Sequence, residues 1–329
     1  MHLERHREEL RQVPHHGRVT LHGRDASEFR SRTYRAALDQ LRRYARDSHV
    51  TILLEGEAGT GKTQHAAYAH HVSPRASGPF QVGLLAAVHD TFGESELFGH
   101  IAGAFTDARQ ARMGLFASAN GGTVFLDEIG KASRRVQQLL LHVVEYGEVK
   151  PLGSDRVIRI DARLIAATNV SLESLVESNT FLPDLRARLT MFRVALPALR
   201  DRRADIPLLV QDCIRRRAEA CGYAAPPSIH AELMAALEDA PWPDNLRQLD
   251  ATLYRLMIDA EGASELTPDL CIGDLSYLRV RPKPRPGALG RGEVEAAIAL
   301  AAGDKSKAAR LLNVDRTTVH RILKRSASS

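Results

Sequence analysis

The chain has 329 residues, 44% hydrophobic and 26% charged, with a net charge of +5. That is enough for one large domain and one small one with packed cores, and it excludes a disordered or fibrous polymer. No apolar run approaches the roughly 18 residues needed to span a membrane, and Met1 to Arg11 is charged, without the apolar stretch of a secretory leader.

Three cysteines, Cys213, Cys221 and Cys271, form an odd set without metal-ligand spacing. They point to a reducing cytoplasm and inert thiols, not a disulfide framework.

In chain order, residues 1–20 are polar, with clustered charges and His15-His16, and are expected to be a flexible arm. From Leu21 to about Ala260, apolar strand-like runs alternate with helical patterns. Strands are predicted over residues 51–54, 80–84, 123–126 and 163–168. Their continuous apolar character suits a parallel sheet covered on both faces, so the expected fold class is α/β. After Leu189 the pattern turns helical, over residues 206–220, 229–240 and 245–258, which suggests a helical lid subdomain. The expected organisation is an α/β subdomain at 21–192, a lid at 193–265, a linker at 266–288 containing the proline-rich run at 281–287, and a compact all-α unit at 289–329.

The first predicted strand enters Gly56-Glu57-Ala58-Gly59-Thr60-Gly61-Lys62-Thr63, which fits G-x-x-x-x-G-K-[ST]. A polyphosphate needs many donors packed close together, and side chains would crowd them out. Glycines at 56, 59 and 61 let backbone N–H groups wrap the phosphates. Lys62 adds positive charge at the β/γ-phosphates, and the Thr63 hydroxyl is a Mg²⁺ ligand. A strand before and a helix from Gln64 to His71 after favour nucleotide binding over a simple glycine-rich turn. His65, His70 and His71 lie on that helix without a carboxylate partner and are expected to be ordinary helix residues.

The strand at 123–126 runs into two carboxylates. Asp127 is placed to hold Mg²⁺ and Glu128 to polarise an attacking water. The strand at 163–168 ends in Thr168-Asn169, where Asn169 is a candidate to position that water or sense the γ-phosphate.

The charge is unevenly spread. Residues 281–329 hold eleven Lys/Arg against four Asp/Glu, a surplus of seven, so the remainder is slightly acidic. A near-neutral body with a basic tail is the footprint of a nucleic-acid-binding appendage. Val294, Ala297, Ile298 and Ala301 recur on one helical face, Gly303 ends that helix, and Asp304 caps the next, with Ala308, Ala309 and Leu312 inward. Asp315 caps a third helix whose Val319, Ile322 and Leu323 face in. Arg316, Thr317, Thr318, His320, Arg321 and Lys324 then remain outward for the major groove and phosphates, as in a helix-turn-helix.

Taken together, the glycine-rich loop, the Asp127-Glu128 strand and the Thr168-Asn169 strand end resemble an AAA+ ATPase. Between them, Glu94-Ser-Glu-Leu-Phe-Gly-His100 and Gly103-Ala-Phe-Thr-Asp-Ala108 resemble the signature of bacterial enhancer-binding proteins, the activators of sigma-54 RNA polymerase, whose hallmark loop reads GAFTGA. The resemblance runs from about residue 21 to 325. It includes Leu196-Pro-Ala-Leu-Arg-Asp-Arg-Arg-Ala-Asp-Ile-Pro207 and Trp242-Pro-Asp-Asn-Leu-Arg-Gln-Leu249, and the tail from Lys305 resembles the Fis-type DNA-binding domain.

The resemblance implies several roles. Phe105 and Thr106 would contact the sigma factor. Arg188, with Arg186 as a nearby competitor, would be the finger that completes a neighbour's ATP site. Arg247 would be the sensor arginine reaching the nucleotide in cis. A site that needs a neighbour's arginine implies a closed ring of copies, a hexamer in the family, with a dimer at rest. ATP and Mg²⁺ are the implied cofactors, with an upstream activating DNA sequence and sigma-54 RNA polymerase as partners, no membrane, and the cytoplasm as location.

Three departures stand out. Asp107 replaces the second glycine of the loop. Leu84 stands where the family has an Asn that restrains the catalytic Glu. Leu182 stands where a second arginine is common. They bear on the rate and regulation of hydrolysis more than on nucleotide binding. With no receiver or ligand-sensing domain ahead of residue 21, control is expected from a separate regulatory protein, expression level or the short arm.

The expected function is a sigma-54-dependent activator that binds upstream DNA and uses ATP hydrolysis to remodel closed promoter complexes. The alternatives are a DNA-binding regulator of the same fold that has lost remodelling, acting as a repressor or with another sigma factor, and an ATP-dependent remodeller of another target.

Overall fold

A computed structural model describes residues 26–85, 90–106 and 108–271, together with Leu278 and Ile298. The expected DNA-contacting residues Arg316, Thr317, Thr318, His320, Arg321 and Lys324 lie outside the described residues, as does Asp107. Among the described residues the chain divides into two compact units, one running to Asp212 and including Pro241–Ala251, the other comprising Cys213–Ala240 and the described residues from Thr252 onward. Part of the range expected for the lid thus packs with the sheet unit.

In the first unit, β1 (Ile52–Glu55), β2 (Phe80–Leu84), β3 (Thr123–Asp127), β6 (Arg163–Thr168) and β7 (Arg193–Ala195) form one sheet in the order β2-β3-β6-β1-β7. Every pairing within it is parallel. Four of these strands were expected from their apolar runs. The fifth, β7, has only three residues and buries one of them, Val194, which is too short a signal to stand out. The remaining strands of this unit, β4 (Glu148–Val149) and β5 (Ile158–Arg159), make a small antiparallel hairpin.

The sheet is covered on both faces, which is why its strands read as unbroken apolar runs. Alternate residues Leu53, Val124, Leu126, Leu164 and Ala166 join one buried cluster with Leu97, Phe116, Val136 and Leu140. Their neighbours Ile52, Leu54, Phe125, Ile165 and Ala167 are just as buried and point to the opposite face.

Two helices show how local sequence sets the flanks. Arg32–Ala45 starts at Ser31, whose hydroxyl accepts the Tyr34 N–H, and buries Tyr34, Leu38, Leu41 and Ala45 at helical spacing. Its entry is pinned from afar: one Asp205 carboxylate oxygen accepts the N–H groups of Arg30 (2.6 Å) and Ser31 (2.9 Å). Arg134–Tyr146 starts at Ser133, which caps Val136, and ends at Gly147, whose φ of 67° supplies the left-handed turn that stops it.

In the second unit, Ile214, Leu233, Leu237, Leu253, Leu256, Met257 and Leu266 are buried. The helix expected to run to residue 220 ends at Ala218, where Gly222 (φ 76°) turns the chain and the Tyr223 N–H returns to the Ala218 carbonyl. The helix expected from 229 begins at Ala231, because β8 (Ser228–Ile229) pairs with β9 (Glu265–Leu266) and His230 caps the helix through its ring Nδ1.

Candidate nucleotide site at the carboxyl edge of the sheet

Register alone gathers the candidate residues. Glu55 is level with Thr168, and Leu84 is level with Asp127. The glycine-rich loop after β1, the acidic pair ending β3 and Asn169 after β6 therefore share the carboxyl edge of the sheet, where open α/β sheets hold their ligands. The Gly56 N–H donates to the Thr168 carbonyl (3.2 Å), which ties the start of the loop to the strand that presents Asn169. Asn169 itself is exposed at this edge.

The loop has the backbone its glycines predict. Gly59 and Gly61 have φ values of 76° and 91°, in the region that side chains disfavour. Crowding adds a second constraint at Gly59: a Cβ there would lie 2.1 Å from the Asp244 carbonyl oxygen. Thr60 closes the turn by donating its hydroxyl to the Glu57 carbonyl (2.9 Å). The helix Lys62–His71 follows, aiming its amino end at the space enclosed by the loop.

Lys62 is buried, and its ammonium donates to the carbonyls of Gly56 (2.8 Å) and Glu57 (2.9 Å). Burial lowers its pKa, while Asp127 and Glu128 act in the opposite direction. These carbonyl contacts hold the cation at the loop mouth, where an anionic phosphate offers a stronger, charge-assisted partner.

Asp127 accepts the N–H of Glu128 (2.9 Å) with one oxygen. Its other oxygen lies 3.5 Å from the Thr63 hydroxyl. Burial raises the Asp127 pKa, with Lys62 pulling it down. Thr63 and Asp127, two hard oxygen donors side by side, are the residues that would hold a Mg²⁺ ion here. A cation there would also offset the burial cost of the carboxylate.

Glu128 adopts φ 58°, uncommon for a residue with a side chain, and its carboxylate meets the Lys131 ammonium at 2.9 Å. Leu84, at the end of β2, offers no polar atom to this carboxylate.

Asn245, within the run at 242–249, opens the helix Asn245–Asp259 and carries no motif role that its spacing would reveal. It is fully buried at φ 52°. Its amide donates to the Ala58 carbonyl (2.9 Å) and to Glu57 (3.2 Å), and its oxygen accepts the Leu199 N–H (2.7 Å). Arg200 grips the Glu57 carboxylate with two nitrogens, at 2.5 and 2.8 Å. Arg200, then Asn245, holds the Glu57 pKa down at about 2. The signal for both residues was present in the runs at 196–207 and 242–249, but nothing in the spacing reveals that they converge on Glu57.

Arg247 is exposed one residue beyond Leu246, whose N–H bonds the Gly59 carbonyl (3.0 Å), so Arg247 flanks the glycine-rich loop. Arg188 is not gathered here by sheet register. It is exposed on the helix Pro183–Leu189 and pairs with Glu145 at 3.0 Å. Arg186 pairs with Glu173 at 3.5 Å.

Among the three histidines, His65 is buried and bridges Gly61 O (2.7 Å) and the Tyr34 hydroxyl (2.9 Å). His70 meets the Thr123 hydroxyl at 2.9 Å, and His71 bonds the Ala67 carbonyl at 2.7 Å. No group of three or more metal-ligating residues occurs among the described residues, and no helix among them is long and apolar enough to cross a membrane.

Phe105 and Thr106 lie apart from the nucleotide loop in sequence, on a turn closed by Gly103 N–H to Ala108 O (2.7 Å) and Ala108 N–H to Phe105 O (2.9 Å). Phe105 is half-buried and Thr106 exposed.

Comparison with known proteins adds independent findings. Residues 28–195 match the family model for a sigma-54 interaction domain, residues 200–272 that for an AAA+ ATPase lid domain, and residues 291–325 that for a bacterial regulatory protein of the Fis family. The DNA-binding transcriptional regulator NtrC of Klebsiella pneumoniae is 44% identical over 223 residues, 68% of this chain and 47% of its own length. The sigma-54-dependent transcriptional activator SfnR of Pseudomonas putida is 38% identical over 259 residues, 79% of this chain and 70% of its own. The chain spans about half the length of the NtrC relatives it matches. A crystal structure of NtrX from Brucella abortus aligns with a TM-score of 0.70 at 30% identity, covering 98% of this chain and 71% of that one. NtrX in complex with ATP aligns with a TM-score of 0.68 at 28% identity.

Proposed function

The chain belongs to the family of sigma-54-dependent transcriptional activators with an AAA+ domain, and on that premise we propose that it is an ATP-driven activator of sigma-54 RNA polymerase. The observation that carries the proposal is the convergence of Lys62, Thr63, Asp127, Glu128 and Asn169 on one edge of the sheet through strand register. In this reading the loop from Gly56 to Thr63 cradles the phosphates of ATP, with Lys62 exchanging its carbonyl partners for phosphate oxygens. Thr63 and Asp127 hold Mg²⁺, which supplies charge neutralisation at the phosphates when bound. Glu128 takes a proton from the attacking water, and Asn169 orients that water. Leaving Lys131 frees the Glu128 carboxylate for this work.

Arg247 reaches the nucleotide from its own subunit, and Arg188 is offered to a neighbouring copy after leaving Glu145. The copies close into a ring, hexameric when active and dimeric at rest. Residues 289–329 bind an upstream DNA site through Arg316, Thr317, Thr318, His320, Arg321 and Lys324. The Phe105–Thr106 loop presses on sigma-54 and remodels the closed complex in the cytoplasm.

The deciding experiment is open-complex formation by sigma-54 holoenzyme at a sigma-54 promoter, with hydrolysable ATP, with a non-hydrolysable analogue, and without nucleotide. Opening that requires hydrolysable ATP is the expected result. If the native chain opens nothing while its Asp107→Gly form does, the native loop serves another partner or the protein represses.

A further inference from the structure

One buried ring lies at the root of the Phe105 loop. His100 is 9% exposed, and both of its ring nitrogens are engaged. Nε2 lies 2.8 Å from the Gln110 carbonyl, and Nδ1 lies 2.6 Å from the Ser95 hydroxyl. A carbonyl only accepts, so Nε2 donates, and in the neutral ring Nδ1 accepts the Ser95 hydroxyl proton. The main chain repeats the clamp. The His100 N–H bonds the Arg112 carbonyl (3.0 Å), and the Arg112 N–H bonds the His100 carbonyl (2.9 Å). His100 therefore joins the outgoing and returning legs of the loop twice, once by backbone and once by side chain.

The same residue sits beside the chain that links β4 to β5. The Ile101 N–H donates to the Leu152 carbonyl (3.1 Å), and the Leu152 N–H to the Gly99 carbonyl (2.9 Å). Gly153 is packed so closely on the loop that a Cβ there would lie 2.8 Å from the Ala104 Cβ. Within this frame the Phe105 ring lies 4.9 Å from the His100 ring, tilted by 58°. The aromatic residue is thus laid down on the clamp and kept half-buried.

We propose that His100 is the positioning residue on which the loop is stowed: its nitrogens fix the legs, and its ring face holds Phe105 down. The two functions are separable. The bonds to Ser95, Gln110 and Arg112 lie at the root and can persist while the tip moves. The ring contact is a piece that Phe105 must give up to be presented. The consequence for a sigma factor rests on the functional reading above, whereas the stowage itself does not.

Hydrogen–deuterium exchange on the full chain, with and without a non-hydrolysable ATP analogue, tests this directly. His100→Gln keeps a polar side chain and removes the ring face. His100→Phe keeps the face and removes both nitrogens. In His100→Gln, exchange in the peptide covering residues 103–108 is expected to rise about three- to tenfold, the range of a lost aromatic contact, and to lose its nucleotide dependence, with residues 110–112 near wild type. In His100→Phe the pattern should reverse, with residues 110–112 exchanging faster and 103–108 remaining protected. Both variants should bind the analogue with unchanged affinity.

Wild-type exchange over 103–108 in His100→Gln would overturn the proposal. So would faster exchange spread equally over β3 and the helix Arg134–Tyr146 in both variants, since His100 would then be a core residue only. Failure of promoter opening with the expected exchange pattern intact would overturn the sigma-54 reading and leave the stowage standing.

Discussion

The side-chain amide of Asn245 donates to the main-chain carbonyl of Ala58 at 2.9 Å, joining residues 187 positions apart in the sequence. The contact fastens the glycine-rich loop to the start of a distant helix, and the same side chain accepts the Leu199 N–H. Asn245→Ala removes these bonds together and leaves the Leu199 N–H buried without its partner, which costs about 1–3 kcal/mol. The expected outcome is a lower urea midpoint and roughly tenfold weaker ATP binding, about 1.4 kcal/mol. Trp242, the chain's single tryptophan, is fully buried three residues away and reports the unfolding by fluorescence. Unchanged ATP affinity would show that the tie does not shape the loop.

Gly59 and Gly121 share nearly the same φ, 76° and 79°, but not the same surroundings. Nothing lies within 4 Å of a Cβ added at Gly121, whereas one at Gly59 collides with the Asp244 carbonyl. Gly121→Ala is expected to cost only the strain of left-handed backbone, about 1–2 kcal/mol. Gly59→Ala must also displace main chain, and is expected to cost more and to abolish ATP binding. Equal losses of stability in the two variants would contradict this reading of the loop's packing.

Binding and hydrolysis should separate at the edge of the sheet. Lys62→Ala removes the cation held at the loop mouth and is expected to lose ATP affinity. Glu128→Gln keeps the shape of the side chain and removes the base, so ATP should still bind while turnover falls by about 100-fold or more. Equilibrium binding and single-turnover hydrolysis, measured on both variants, make the comparison. Normal turnover in Glu128→Gln would remove Glu128 from the proposed chemistry.

His65 ties stability to pH. Burial, with the nearby Arg202 cation as a further cause, lowers its pKa from 6.5 to about 4, partly offset by its bond to Gly61. The folded state prefers the neutral ring, so this contribution is fully present above pH 6.5 and is lost as pH falls toward 4. Its size is about 3 kcal/mol, from the usual 1.4 kcal/mol per pH unit. Tyr34 donates to Nε2 and Gly61 accepts from Nδ1, while the Arg202 guanidinium lies 4.1 Å from the centre of the Tyr34 ring. Urea unfolding between pH 7 and pH 4 should show a steep loss in the native chain and a shallower one in His65→Gln. Identical slopes would mean that other groups carry the acid sensitivity.

Much of the site was legible before any coordinates because its chemistry is local. A phosphate cradle needs consecutive donors, so Gly56 to Thr63 must be contiguous. The end of a buried strand must be marked by its first polar residues, so Asp127, Glu128 and Asn169 announce themselves. The helix boundaries at Ala218 and Ala231 were less legible, because Gly222 and the β8–β9 pairing override the apolar periodicity that runs past them.

The sequence by itself thus determined the parallel α/β class, the glycine-rich loop, the acidic strand end and the family, because short-range spacing and strand burial encode them. Only the tertiary structure decided what lies around those groups. It brought Arg200 and Asn245 onto Glu57, set Lys131 against Glu128, paired Arg188 with Glu145, and laid Phe105 on His100. The pairings with Glu57 and Glu145 join residues remote in sequence, and all of them depend on where chain crossings and turns deliver each side chain. An arginine or asparagine carries the same donors wherever it stands, so its composition cannot say which carboxylate or carbonyl it will meet.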